Sequence, residues 1–169
     1  LGALLTDLEL QADDAFEKSY CGTCTACLDR CPTQAFPEPF VLDATRCISY
    51  LTIEHRDHID DKLQSELSGW IFGCDVCQEV CPWNRKAHDA DAAFLPITES
   101  LNLLEMLGLS EAEFRERFRR TPMWRSRRRG MLRNAILLAG SKKLDSAGSA
   151  LLALIHDDEP LIRAAAAWA

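Results

Sequence analysis

Cys21-Gly22-Thr23-Cys24-Thr25-Ala26-Cys27-Leu28-Asp29-Arg30-Cys31-Pro32 sets four thiols at spacings of x2, x2 and x3 ahead of a proline. Cys74-Asp75-Val76-Cys77-Gln78-Glu79-Val80-Cys81-Pro82 repeats the last three of them. With Cys47, these account for all 8 cysteines of the 169-residue chain. The spacing is that by which [4Fe–4S] clusters are ligated, three cysteines of a tight loop wrapping one cubane and the one after x3 reaching toward a neighbour. The chain is therefore expected to carry two cubanes and to move electrons singly.

In the cross-over scheme of bacterial dicluster ferredoxins, Cys21, Cys24, Cys27 and Cys81 hold the first cluster. The second takes Cys31, Cys74, Cys77 and one further thiolate. A plain ferredoxin would place that ligand three residues before Cys74, where this chain has Ile71. Cys47 is the only cysteine left, so an insertion has displaced the ligand upstream. Pro32 and Pro82 turn the chain away after each cross-over cysteine. Disulfides would need an oxidising compartment, which nothing here implies. Structural zinc usually pairs two separated Cys-x2-Cys knuckles, not three ligands in seven residues. Buried free thiols at this density are implausible.

Apolar residues make up 47% of the chain, enough for a core and against disorder. No apolar run is long enough to cross a bilayer, and no signal-peptide pattern is present. The chain opens at Leu1 without methionine and stops at Ala169 within a helical pattern, as an internal fragment would. The net charge is −7 but unevenly spread. Between positions 115 and 133 stand nine arginines and one acid, Glu116. That window carries about +8 and the remainder about −15, so a basic surface is expected on an acidic protein.

Alternation of Thr6, Leu8 and Leu10 with Asp7 and Glu9 predicts a strand end. Residues 43–56 read as a helix with Asp43 as N-cap. From Leu101 the pattern is helical. Ser110-x2-Glu113 is a capping box opening a helix over 111–120; Pro122 breaks the run, and helices follow over 128–139, 147–156 and from 161. Met131-Leu132-Arg133-Asn134-Ala135 lines up with Leu161-Ile162-Arg163-Ala164-Ala165, suggesting stacked helix pairs of HEAT type. The expected fold is α+β, mostly α: residues 1–20 the end of an upstream domain, 21–98 a dicluster ferredoxin-like module, and 99–169 HEAT-like helical repeats.

Cys47-Ile48-Ser49-Tyr50-Leu51-Thr52-Ile53-Glu54, the phrase Gly69-Trp70-Ile71-Phe72-Gly73-Cys74-Asp75-Val76-Cys77-Gln78-Glu79-Val80-Cys81-Pro82-Trp83-Asn84 and the opening Leu4-Leu5-Thr6-Asp7 together resemble the epoxyqueuosine reductase family. The resemblance covers nearly the whole chain and includes the displaced Cys47 and the basic helical tail. It implies two [4Fe–4S] clusters and cobalamin, with the upstream domain binding cobalamin. The implied activity is the last step of queuosine biosynthesis in tRNA: removal of an epoxide oxygen as water by two electrons and two protons. It further implies that Ser49, Cys74 and Asp75 lie beside the corrin, with Gly2 a further candidate, and that the proton-donor aspartate lies upstream of Leu1. The implied partners are tRNA carrying epoxyqueuosine and an external low-potential electron donor. We expect a cytoplasmic monomer with no membrane partner.

Among the nine arginines, Arg125, Arg127, Arg128 and Arg129 are expected to meet tRNA phosphates, and Arg133 is a candidate internal contact. His55, His58, His88 and His156 have no metal-motif spacing and read as surface residues. Trp70 and Trp83 read as shields or core fillers. Three rival functions are a reductive dehalogenase-like cobalamin enzyme, a non-catalytic dicluster electron carrier and a tRNA-binding scaffold whose metals are only structural. Export signals usually accompany the first. The second would need neither the insertion between Cys31 and Cys74 nor the helical tail.

Overall fold

The computed structural model describes residues 3–15, 17–67, 69–86, 91–95 and 100–169. Gly2 and His88 lie outside the described residues, as does the expected boundary at 98/99. In chain order the α-helices are α1 (Ala26–Arg30), α2 (Ile48–Ile53), α3 (Asp61–Gln64), α4 (Val76–Glu79), α5 (Leu103–Leu107), α6 (Glu111–Phe118), α7 (Arg127–Ser141), α8 (Gly148–Leu154) and α9 (Pro160–Trp168). Short 3₁₀ turns link several of them.

The β component of the expected α+β fold is not found: among the described residues there is no strand, only an isolated antiparallel bridge between Glu38 and Val41. Residues 6–10 alternate as read, but Leu8 and Leu10 are exposed, as are Leu4 and Leu5 before them. Alternation makes a strand only where a neighbouring strand supplies the ladder, and none of the described segments does so. The helix expected over 43–56 is divided. Asp43 does act as N-cap, accepting from Thr45 N at 2.9 Å, but it caps a 3₁₀ turn, Ala44–Arg46. Cys47 then adopts extended backbone and α2 starts afresh at Ile48.

The capping box of α6 forms as read, Ser110 Oγ accepting from Glu113 N and the Glu113 carboxylate accepting from Ser110 N. Pro122 sits at the first position of a 3₁₀ helix, where its missing N–H costs nothing. α7 is the longest helix and packs on α2, α5, α6 and α9. Its middle, from Gly130 to Leu137, is buried. One hydrophobic core joins Ile48, Leu51, Ile59 and Leu67 of the insertion to Met106, Phe114, Met131, Ile136 and Ile162 of the helical tail. At roughly 2 kcal/mol for each fully buried Ile or Leu, this shared core ties the stretch bearing Cys47 to α7.

Arg128 of α7 donates to Leu109 O at 2.7 Å and to Asp157 Oδ2 at 2.8 Å, both side chains being largely buried. Burial pushes the Asp157 carboxyl up, but hydrogen bonds from Arg128 and Glu159 N, with the charges of Arg128 and Arg163, outweigh it and hold it below the usual range. A depressed native pKa stabilises the fold above the unfolded carboxylate value, near 3.9, and that contribution is lost as pH falls through the native value. Asp157→Asn should cost about 2 kcal/mol, somewhat below a fully buried pair, and flatten the acid limb of stability against pH. Thermal unfolding across an acid pH series measures both; an unchanged acid limb would dismiss the pair as a stabiliser.

Candidate metal centre

The two cysteine loops are copies in backbone as well as in sequence, related by a shift of 50 positions. Thr25 and Asp75 precede α1 and α4 with near-identical dihedrals, φ −116°, ψ 10° and φ −113°, ψ 10°. Each carbonyl accepts from the N–H three and four residues on: Leu28 and Asp29 in one loop, Gln78 and Glu79 in the other, at 2.8–3.0 Å. The turns after the x3 cysteines also correspond, Gln34 N donating to Cys31 O and Asn84 N to Cys81 O. Short helices α1 and α4 pack against each other, so the duplicated loops face across a common interior. Gly22 and Gly73, next to Cys21 and Cys74, hold a positive φ (56° and 74°) that residues with a side chain rarely adopt.

The loops are pinned from both sides. Trp83 Nε1 donates to Tyr20 O at 3.3 Å, and the rings meet edge-on at 5.9 Å. This joins the residue before Cys21 to the second residue after Cys81. On the other side, Cys31 Sγ accepts from Ala35 N at 3.3 Å and lies 3.7 Å from Thr33 Oγ1. N–H donors to sulfur are among the features that set a cluster's potential.

All eight cysteines are free thiols. Burial pushes the Cys74 thiol up; a hydrogen bond from Val76 N opposes it, and nearby Cys47, Cys77 and Cys31 push it further up. Cys77 is likewise raised, first by burial, then by Cys47, with smaller contributions from Cys31 and Cys27. The fold thus brings Cys47, as well as Cys31, into electrostatic range of Cys74 and Cys77, across an insertion of more than twenty residues. Thiolates gathered this closely repel one another unless a cationic core lies among them. The donor set, all sulfur, fits iron–sulfur clusters.

Ser49 stands on α2 and lines a cleft with Glu54, Phe72, Trp124, Arg125 and Arg127. Asp75 opens α4 between two cysteines. The arginine window does not behave as a unit. Arg125 is exposed and pairs with Glu54 at 2.6 Å. Arg127 is exposed, lies 4.3 Å over the Trp124 ring, and holds φ 59°, a strained conformation of the kind that clusters at functional sites. Arg129 donates to Arg56 O and lies 4.0 Å from Glu159. Arg128 points inward, as described above. Arg115, Arg117, Arg119 and Arg120 are exposed along α6 and its end.

His55 bonds His58 O and His58 bonds Asp61, whereas Trp83 is 65% exposed despite its bond to Tyr20, so it covers the loop edge without filling a core. Sequence reading missed Asn134 and Thr52. Both are fully buried; the available signal was a polar pair, Arg133-Asn134, inside the apolar run of α7.

Residues 20–84 match the family model of a 4Fe-4S double cluster binding domain. The epoxyqueuosine reductase of Xanthomonas campestris is 40% identical over 173 residues, covering 100% of this chain and 48% of that protein. That of Cyclobacterium marinum is 42% identical over 136 residues, 79% of this chain and 43% of its own length. Among solved structures, an epoxyqueuosine reductase with an epoxyqueuosine-modified tRNA-Tyr stem loop superposes with TM-score 0.84 at 36% identity, over 93% of this chain and 43% of that one. The Bacillus subtilis enzyme with its catalytic aspartate loop swung out of the active site gives TM-score 0.80 at 36% identity, over 94% and 43%. The chain spans about half the length of the curated relatives it matches. Over that half, in sequence and in fold alike, this chain belongs to the epoxyqueuosine reductase family.

Proposed function

We propose that this chain is the electron-delivering half of an enzyme that reduces the epoxide of epoxyqueuosine in tRNA to queuosine. The overall change adds two electrons and two protons, breaks both C–O bonds of the epoxide, forms the ring double bond and releases water. In this reading Cys21, Cys24, Cys27 and Cys81 hold one [4Fe–4S] cluster, and Cys31, Cys47, Cys74 and Cys77 the other. Ser49, Cys74 and Asp75 border the corrin of a bound cobalamin. When bound, the clusters supply single electrons and the cobalt supplies the reductant that meets the epoxide. Residues outside this chain supply the proton-donor aspartate.

The observation that carries the proposal is that the fold sets both Cys47 and Cys31 within electrostatic reach of Cys74 and Cys77, in a chain that matches a relative along its whole length. A plain electron carrier has no use for the insertion that brings Cys47 there, nor for helices α5–α9 behind it. The helical tail is read as HEAT-like: α7 and α9 pack together, and Arg163 clamps the carbonyls of Asp157 and Asp158 as Arg133 clamps those of His55 and Asp57. The cysteine loops are read as ferredoxin-like from their internal repeat. Among the described residues no helix is long and apolar enough to cross a membrane. Action on tRNA puts the protein in the cytoplasm, with an external low-potential donor feeding the clusters. The solved relative bound to a tRNA stem loop supports tRNA as the partner, and the cleft shared by Ser49, Arg125 and Arg127 gives phosphate-binding charge beside the expected corrin face.

The intact protein bearing this chain, prepared without oxygen and given cobalamin, a low-potential reductant and epoxyqueuosine-containing tRNA, should form queuosine, read by nucleoside mass spectrometry. Absence of product with both clusters loaded and reduced would reject the activity.

A further inference from the structure

Arg133 is 1% exposed and Asn134 0%, two polar side chains in the middle of the most buried helix. All five N–H bonds of Arg133 are engaged: Nε and Nη2 on Asn134 Oδ1, Nη2 also on Leu51 O at 2.6 Å, and Nη1 on His55 O and Asp57 O. Every one of these acceptors is neutral. Asn134 Nδ2 donates to Thr52 O and to Ile71 O, each at 2.8 Å. Thr52 Oγ1 donates to Ile48 O and accepts from Gly73 N at 3.0 Å. One continuous network therefore joins α7 to both α2, which begins immediately after Cys47, and the 71–73 stretch that ends at Cys74.

We propose that the Arg133–Asn134 pair positions Cys47 and Cys74 and, through the buried guanidinium charge, raises the reduction potential of the cluster those cysteines hold. The inference rests on the cluster assignment given above. Leu51 N bonds Cys47 O at 2.9 Å, so the guanidinium on Leu51 O stands one helical turn from Cys47, roughly 10 Å from the ligand. A cluster gains negative charge on reduction, and an unneutralised cation in a low-dielectric interior favours that state. Burial and the like charges of Arg129 and Arg56 hold the Arg133 pKa down to about 10, so the group is charged at neutral pH. Its field is reinforced by those two arginines and opposed only in part by Asp57. Arg133 is on this account a positioning residue, remote from substrate.

The test is a redox titration of both clusters followed by electron paramagnetic resonance, in the intact iron-loaded protein. Arg133→Met, which keeps length and removes charge, should move one of the two clusters to a more negative potential. The expected size is on the order of tenfold in its reduced-to-oxidised ratio at fixed potential, ~59 mV for one electron. Arg133→Lys, which keeps the charge, should move it by less. Thr52→Val, which cuts the link to Gly73 and leaves the charge alone, should broaden or abolish the signal of that same cluster and spare the other. If the Arg133 variants do not accumulate, the Thr52→Val outcome decides. Unchanged potentials in Arg133→Met, or equal disturbance of both clusters in Thr52→Val, would overturn the proposal. An unsubstituted protein lacking two clusters would instead refute the underlying assignment.

Discussion

Cys47→Ala should halve the iron of the anaerobically purified protein, from about eight atoms to about four, and abolish queuosine formation. Cys47 is the proposed ligand whose assignment depends most on the fold, because it lies 27 positions before Cys74 and outside either tight loop. Burial and the push of Cys47 raise the Cys77 thiol, and Cys47, Cys77 and Cys31 together add to the rise at Cys74. Removing one thiolate of four leaves a cubane with an open iron, which is lost or degraded once exposed to solvent. The cluster of Cys21, Cys24, Cys27 and Cys81 should survive, since Tyr20 and Trp83 pin its loops independently. The decisive comparison is non-additivity: adding Cys74→Ala to Cys47→Ala should remove no further iron, whereas adding Cys21→Ala should remove the remainder. Iron counts and resonance spectra report both. Full iron in the single variant would exclude Cys47 as a ligand and with it the partition into two groups of four.

What the chain discloses before folding divides along a physical line. The Cys-x2-Cys-x3-Cys-Pro repeat, the Ser110–Glu113 capping box and the Pro122 break are local, and the structure shows the matching loop backbones, the cap and the break where they are expected. The proposed cross-over arrangement comes from the sequence alone, since each cluster takes four thiols and the tally closes only with Cys47. Strand and surface assignments depended on distant partners. Residues 6–10 alternate but lack a neighbouring strand among the described residues. Cys47 breaks the helix expected over 43–56 although nothing in its neighbours forbids helix; its extended backbone is what turns α2 toward α7 and the shared core. Arg128 and Arg129 are adjacent to Arg127 in a run of three, yet Arg127, at φ 59° where the chain enters α7, stays outside on Trp124 while Arg128, one position further into the helix, points inward to Asp157. Charge density along a sequence identifies a basic window, but only the helix phase says which of its members can meet a phosphate.

That phase makes the tRNA surface testable with variants that do not disturb the core. Arg119, Arg120, Arg125 and Arg127 are all exposed, and replacing the four by alanine should weaken tRNA binding on the order of 100-fold at low salt. The slope of log affinity against log salt should become shallower by about 3, since each lost phosphate contact releases roughly 0.7–0.9 fewer counterions. Arg128→Met should leave that slope as it was while lowering the melting temperature, because its charge is already engaged by Asp157 and Leu109 O. A sharper sign test uses Glu54, whose carboxylate sits 2.6 Å from Arg125 Nε. An exposed pair of this kind adds little to stability, but it occupies the arginine. If Arg125 meets a phosphate, the RNA must displace Glu54, and Glu54→Gln should strengthen binding and steepen the salt slope. Were Glu54→Gln to weaken binding, the acid would be holding Arg125 in the geometry that RNA needs; were neither set of variants to move the slope, phosphate contact would have to be assigned to another face of the protein.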